Sequence, residues 1–268
     1  VNLGPARIRI RSLLATLRER TAREQKVYPL VEHRPFPKFT REMRNTHTIL
    51  IPQMSPVHFQ FLETVFASEG YKAVQLPTVD REAIDLGLRY VNNDACYPAI
   101  VVVGQLLQAI LKGGYDQQRV ALMISQTGGG CRATNYIAFL RKALQDASLD
   151  HIPIISFNMG SLSDTQGIRF SGKLLKRIIM AIQFGDALMR MLCRVTPYEA
   201  VPGSAERLAA QWAEKGKKCI ASGSILLFDL NMLRMIRAFD RLPLKTEERR
   251  PRVGLVGEIL LKYHPDAN

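Results

Sequence analysis

Two cysteines stand in settings suited to metal chemistry. Cys131 lies in Gln126-Thr127-Gly128-Gly129-Gly130-Cys131-Arg132, directly after an apolar β-branched run and before an apolar helical repeat. Cys96 lies in Asn92-Asn93-Asp94-Ala95-Cys96-Tyr97-Pro98, a polar turn that opens another helix. A helix start carries unpaired N–H groups and the positive end of the helix dipole, which favours the thiolate that ligates metal. The two cysteines are 35 residues apart, one βα unit, so a single cavity can receive both. Three successive glycines, 128–130, let the backbone approach a bound group closely.

Other chemistry has less behind it. The stretch 127–130 is similar to a phosphate loop, but no Gly-Lys-Ser/Thr follows, as a P-loop requires. Cys131 at a strand-to-helix turn also resembles a nucleophile elbow, a reading that leaves Cys96 without a role. His47, His58 and His151 sit in no telling motif. Cys193, among Met189, Met191 and Leu192, and Cys219, after Lys217-Lys218, read as small structural hydrophobes. The methionines at 180, 189, 191, 232 and 235 recur at helical spacing and read as packing residues.

The elements that must position the cysteines follow from periodicity. Short apolar runs at 48–51, 73–76, 119–125 and 152–157 predict strands. Between them, 55–70, 80–91, 98–111 and 134–147 predict helices, the first opened by Ser55-Pro56 and stopped by Gly70. Such alternation means βαβ units and a parallel sheet, so the expected fold is α/β and Rossmann-like. In such sheets ligands gather at the carboxyl ends of the strands. Three helices follow at 172–195, 205–221 and 225–239, then a fresh strand and turn at 252–258. Four segments are thus expected: a basic extension over 1–44 containing a helix at 8–22, a Rossmann-like cluster-binding domain over 45–160, a helical segment over 161–250, and the first strand of a second, truncated α/β domain over 251–268.

Composition narrows the function classes. The chain has 268 residues, 47% of them apolar, which excludes wholesale disorder. The longest strongly apolar stretch, 99–111, is interrupted by Gly104, Gln105 and Gln108 and is too short to span a bilayer. With no signal segment at its start and only four cysteines, the chain reads as cytoplasmic, with no membrane partner. The net charge of +13 is concentrated on the flanks: residues 1–44 carry 11 basic against 4 acidic, residues 173–252 carry 16 against 8, and residues 45–172 carry 9 against 10. No reading element for nucleic acid accompanies that charge, so no nucleic-acid partner is expected.

On the two cysteine segments, the second extended to Ala133-Thr134-Asn135-Tyr136, the sequence resembles a known group. It is similar to the dehydratase-like portion of the 2-hydroxyacyl-CoA dehydratase activator-related proteins, the CoA enzyme activase group. Dehydratase subunits and double-cubane cluster proteins are its relatives. The likeness runs from Thr46 to His264-Pro265.

The resemblance implies a cubane iron–sulfur cluster, [4Fe-4S] or related, ligated by Cys96 and Cys131. A third ligand would come from a second α/β half of the same polypeptide, which this chain barely starts. It also implies an ATP-hydrolysing activator domain or subunit as electron donor, and a CoA thioester as substrate. In the dehydratases that electron makes a ketyl radical from the thioester. The N–H groups of Gly128, Gly129 and Gly130, with Arg132, are the expected partners of the cluster sulfurs or of an anionic ligand. The apolar helix after Pro98 would keep water away. Against this stands one alternative, a cluster-free α/β interaction domain of a larger protein, its basic flanks docking on neighbours.

Overall fold

The sequence alternation is realised as a four-stranded sheet. The computed structural model describes residues 4–22, 36–92, 94–126, 135–158, 168, 171–245, 251, 253–254, 256–257 and 259–264. It divides into two compact units, residues 1–35 and 36–268. In the first, helix α1 (Gly4–Ala22) exposes Ile10, Leu13, Leu14 and Leu17.

The second unit opens with a short helix, α2 (Met43–Thr46), followed by strand β1 (Thr48–Ile51). Strand β2 (Lys72–Gln75) pairs with β1 on one side, and β3 (Val120–Gln126) pairs on the other. Strand β4 (Ile154–Asn158) completes the order β2-β1-β3-β4, and every pairing is parallel. Chain connections diverge from β1 and β3 to opposite edges, so the switch point of this Rossmann-like α/β sheet lies between those two strands.

Period-two alternation sends successive strand residues to opposite faces. Leu50, Leu122, Ile124 and Ile154 join the core beneath α5 (Arg81–Tyr90), α6 (Tyr97–Lys112) and α7 (Tyr136–Asp146). Ile49, Ile51, Ala121, Met123 and Ile155 join the opposite core. That second face is covered by α3 (Pro56–Phe59), α4 (Leu62–Ala67), α8 (Gly172–Val195), α9 (Ser204–Ser222) and α10 (Ile225–Asp240). The three helices expected as a separate segment therefore form the second layer of the sheet domain. Phe184 on α8 is fully buried there, edge-on to Phe61 at 5.6 Å and to Phe228 at 6.2 Å.

Three expectations change in detail. The single helix expected over 55–70 is two short helices, α3 and α4, and the break turns Phe61 fully into the core. The body begins before residue 45: Phe39 is buried, and the Arg44 guanidinium lies 4.8 Å from the Tyr71 ring centre. The strand expected around 253–256 is not formed by the described residues there. Val253 and Val256 are about 90% and 89% exposed, and a short helix, α11 (Ile259–Tyr263), follows.

Candidate functional site

Cys96 sits where the sequence places it, at the N-cap of α6. Its backbone is extended (φ −65°, ψ 144°), and its carbonyl accepts the Ala99 N–H at 2.9 Å, starting the helix. The preceding turn is shaped by Asn92, whose carbonyl accepts the Ala95 N–H and whose side chain accepts the Asp94 N–H. The thiol is half-buried against the apolar core, and its Sγ lies 3.8 Å from the Tyr136 hydroxyl at the first residue of α7. Cys96 is thus held between two helix starts.

What fixes α6 fixes Cys96. Twelve of its sixteen residues are buried, so it is apolar nearly all round and cannot rotate without exposing core. Gly104 passes directly under the Ala83 carbonyl and Gly87 under that of Ile100; a Cβ at either would collide with backbone. Gln105 is buried, and its Oε1 accepts the Gln53 N–H at 2.9 Å while its Nε2 donates to the Pro77 carbonyl. That amide ties the segments after β1 and β2 to the middle of α6. A buried amide using both ends in this way satisfies backbone groups that would otherwise be costly to bury.

The other expected site residues, Gly128, Gly129, Gly130, Cys131 and Arg132, lie outside the described residues. The remaining cysteines are elsewhere. Cys219 is buried within the opposite core, where desolvation pushes its thiol pKa up. Cys193, expected as a buried hydrophobe, is exposed, because α8 turns that position outward while Leu192 packs inward. Among the described residues no three His, Cys, Asp or Glu side chains converge as a metal-binding group. The described part of the site therefore supplies one soft ligand. That ligand is a half-buried thiol at the N-cap position of α6.

Family models, curated proteins and solved structures give no match to this chain. Among the described residues no helix is long and apolar enough to cross a membrane.

Two features were not visible in the sequence. A cavity of about 610 Å³ is lined by Arg44, Glu69, Tyr71, Ser171, Gly172 and Lys173, none of which lines the Cys96 site. There the Glu69 carboxylate accepts from the Arg177 guanidinium at 2.6 Å and from the Ser171 hydroxyl at 3.3 Å. The second feature is His58, which bridges Ser55 and Asp186. Ser55 and His58 are one turn apart in sequence, a spacing that signals only a helix start. Asp186 lies 128 residues beyond His58, and only the packing of α3 on α8 brings it there.

Proposed function

We propose that this chain is the iron–sulfur cluster-binding module of a 2-hydroxyacyl-CoA dehydratase- or activase-like protein, with Cys96 and Cys131 as cluster ligands. The observation that carries the reading is the setting of Cys96: a half-buried thiol at the N-cap position of a buried helix, packed beside the start of α7. Tyr136, its neighbour, closes the sequence segment that contains Cys131. When bound, such a cluster supplies low-potential one-electron transfer.

The chain's own residues have definable tasks in this reading. Cys96 offers its sulfur as a ligand from the start of α6, beside the Tyr136 hydroxyl. Gly104 and Gln105 hold α6 in place, and its apolar residues exclude water from one side. Gly128, Gly129, Gly130 and Arg132 would hydrogen-bond an anionic group beside Cys131. An ATP-hydrolysing activator would deliver electrons, a CoA thioester would accept them, and a second α/β half would bring a further ligand. The compartment in this reading is the cytoplasm.

A second reading, a cluster-free interaction domain, is supported by the apolar surface of two touching helices. Leu175, Ile179 and Ile182 on α8, with Leu226, Leu230 and Leu233 on α10, are each two-fifths or more exposed. Exposed apolar patches of this kind are typical of contact surfaces. Anaerobic reconstitution with iron and sulfide, followed by absorption and EPR spectra, separates the readings. A cysteine-dependent cluster signal supports the first, and iron uptake indifferent to Cys96 supports the second.

A further inference from the structure

His58 is held between a hydroxyl and a carboxylate. Its Nδ1 lies 2.9 Å from the Ser55 Oγ, and its Nε2 lies 2.9 Å from the Asp186 Oδ1. The ring rests on α8 at Gly185, where a Cβ would come within 2.6 Å of the His58 Cδ2. Glycine at that position leaves room for the imidazole against α8. Tyr263 closes the arrangement edge-on, with ring centres 6.5 Å apart. The His58 side chain is 19% exposed and that of Asp186 is 65% exposed, so the imidazole is shielded while its carboxylate partner stays in contact with water.

The tautomer follows from the partners. A carboxylate only accepts, so Nε2 carries the proton it donates to Asp186; in the neutral imidazole Nδ1 is then the acceptor of the Ser55 O–H. A hydroxyl on a base that a third group orients is the arrangement of an activated nucleophile. Ser55 stands at the N-cap of α3, yet its side chain makes no bond to the helix backbone; the hydroxyl is committed to His58. The segment 52–55 also follows the carboxyl end of β1, beside the switch point where α/β sheets place their chemistry.

We propose that Ser55, His58 and Asp186 form a nucleophilic site for activated acyl groups, esters or thioesters. Ser55 Oγ attacks the acyl carbonyl carbon as its proton passes to His58 Nδ1. The bond from carbon to the leaving oxygen or sulfur then breaks, and the departing group takes that proton. The acyl group, now an ester of Ser55, is released by water, which gives one proton to Nδ1 and its oxygen to the carbonyl carbon. The proton returns to Ser55, and the products are a carboxylic acid and an alcohol or thiol. Asp186 is a positioning residue: it fixes the tautomer and the ring. The proposal does not depend on the cluster reading.

The test is labelling of the folded chain with a fluorophosphonate probe, read by mass spectrometry of the Ser55 peptide, alongside hydrolysis of p-nitrophenyl acetate. The expected result is an adduct on Ser55 that disappears when the protein is heat-unfolded first. The adduct and the hydrolysis are lost in Ser55→Ala and fall at least tenfold in His58→Gln. In Asp186→Asn the rate falls and the pH–rate profile shifts, which a purely structural brace would not produce. Far-UV circular dichroism of each variant checks folding, and the native-against-unfolded comparison needs no variant. An unlabelled Ser55 in the folded wild type, or equal labelling in folded His58→Gln, overturns the proposal and leaves the three residues as a brace between α3 and α8.

Discussion

The Tyr136 hydroxyl lies 3.8 Å from the Cys96 Sγ, joining the first residue of α7 to the cap of α6. The phenol ring itself is buried in the core beneath these helices. Anchoring and thiol contact are therefore separable. Tyr136→Phe keeps the ring and removes only the hydroxyl. It is expected to change stability by no more than about 1 kcal/mol while raising the alkylation rate of Cys96 by iodoacetamide. An unchanged rate would mean that the contact does not shield the thiol.

At Gly104, α6 lies close against the backbone of α5. Gly104→Ala places a methyl group against the Ala83 carbonyl and pushes the two helices apart. Overpacking of this kind costs about 1–3 kcal/mol. Urea unfolding should report that loss, and Cys96 should become more reactive as α6 shifts. Wild-type stability in the variant would show that the helices separate freely.

Phe184 tests the layer made by α8. It is fully buried, contacts Phe61 and Phe228, and sits where Gly216 leaves space for its ring. Phe184→Ala is expected to cost about 3–5 kcal/mol, measured by denaturant unfolding with a single transition. A separate early transition for the helices would show that α8–α10 fold apart from the sheet.

Asp80 gives the fold a measurable acid dependence. Its Oδ1 accepts the Ala83 N–H at 2.9 Å, and Gln108 donates to both carboxylate oxygens at 2.9 Å. These donors, the Ala83 N–H first, hold the carboxyl below its ordinary value. A depressed folded pKa means that the contribution is present above the unfolded value, about 3.9, and is lost as pH falls through the lower folded value. Asp80→Ala should therefore cost about 1 kcal/mol at neutral pH, with the difference from wild type shrinking once the pH drops below about 4. A difference that is constant with pH would contradict the assignment.

Most elements were legible because local signals agreed with the fold. The β-branched run 48–51 is strand β1 to the residue, and 172–195 is helix α8 to the residue. Strand order was not legible, since apolar alternation marks a strand as buried without saying which neighbour it pairs with. Nor did the spacing of Phe184 and Leu188 tell which sheet face α8 would cover. Gly104 reads in the sequence as a flaw in an apolar stretch, yet in three dimensions it is the helix crossing. Cys96 was legible because a polar turn before Pro98 is a local feature. The His58–Asp186 pair was not, because it exists only through tertiary packing.

The most direct test of the cluster assignment is iron and sulfide content after anaerobic reconstitution, compared across four single variants. The account predicts a visible cluster absorption in the wild-type chain, labile to chelator, with iron retained in Cys193→Ser and Cys219→Ser. It predicts loss of that iron in Cys96→Ser and in Cys131→Ser. Equal iron in all four variants, or no cluster absorption in the wild type, would contradict it.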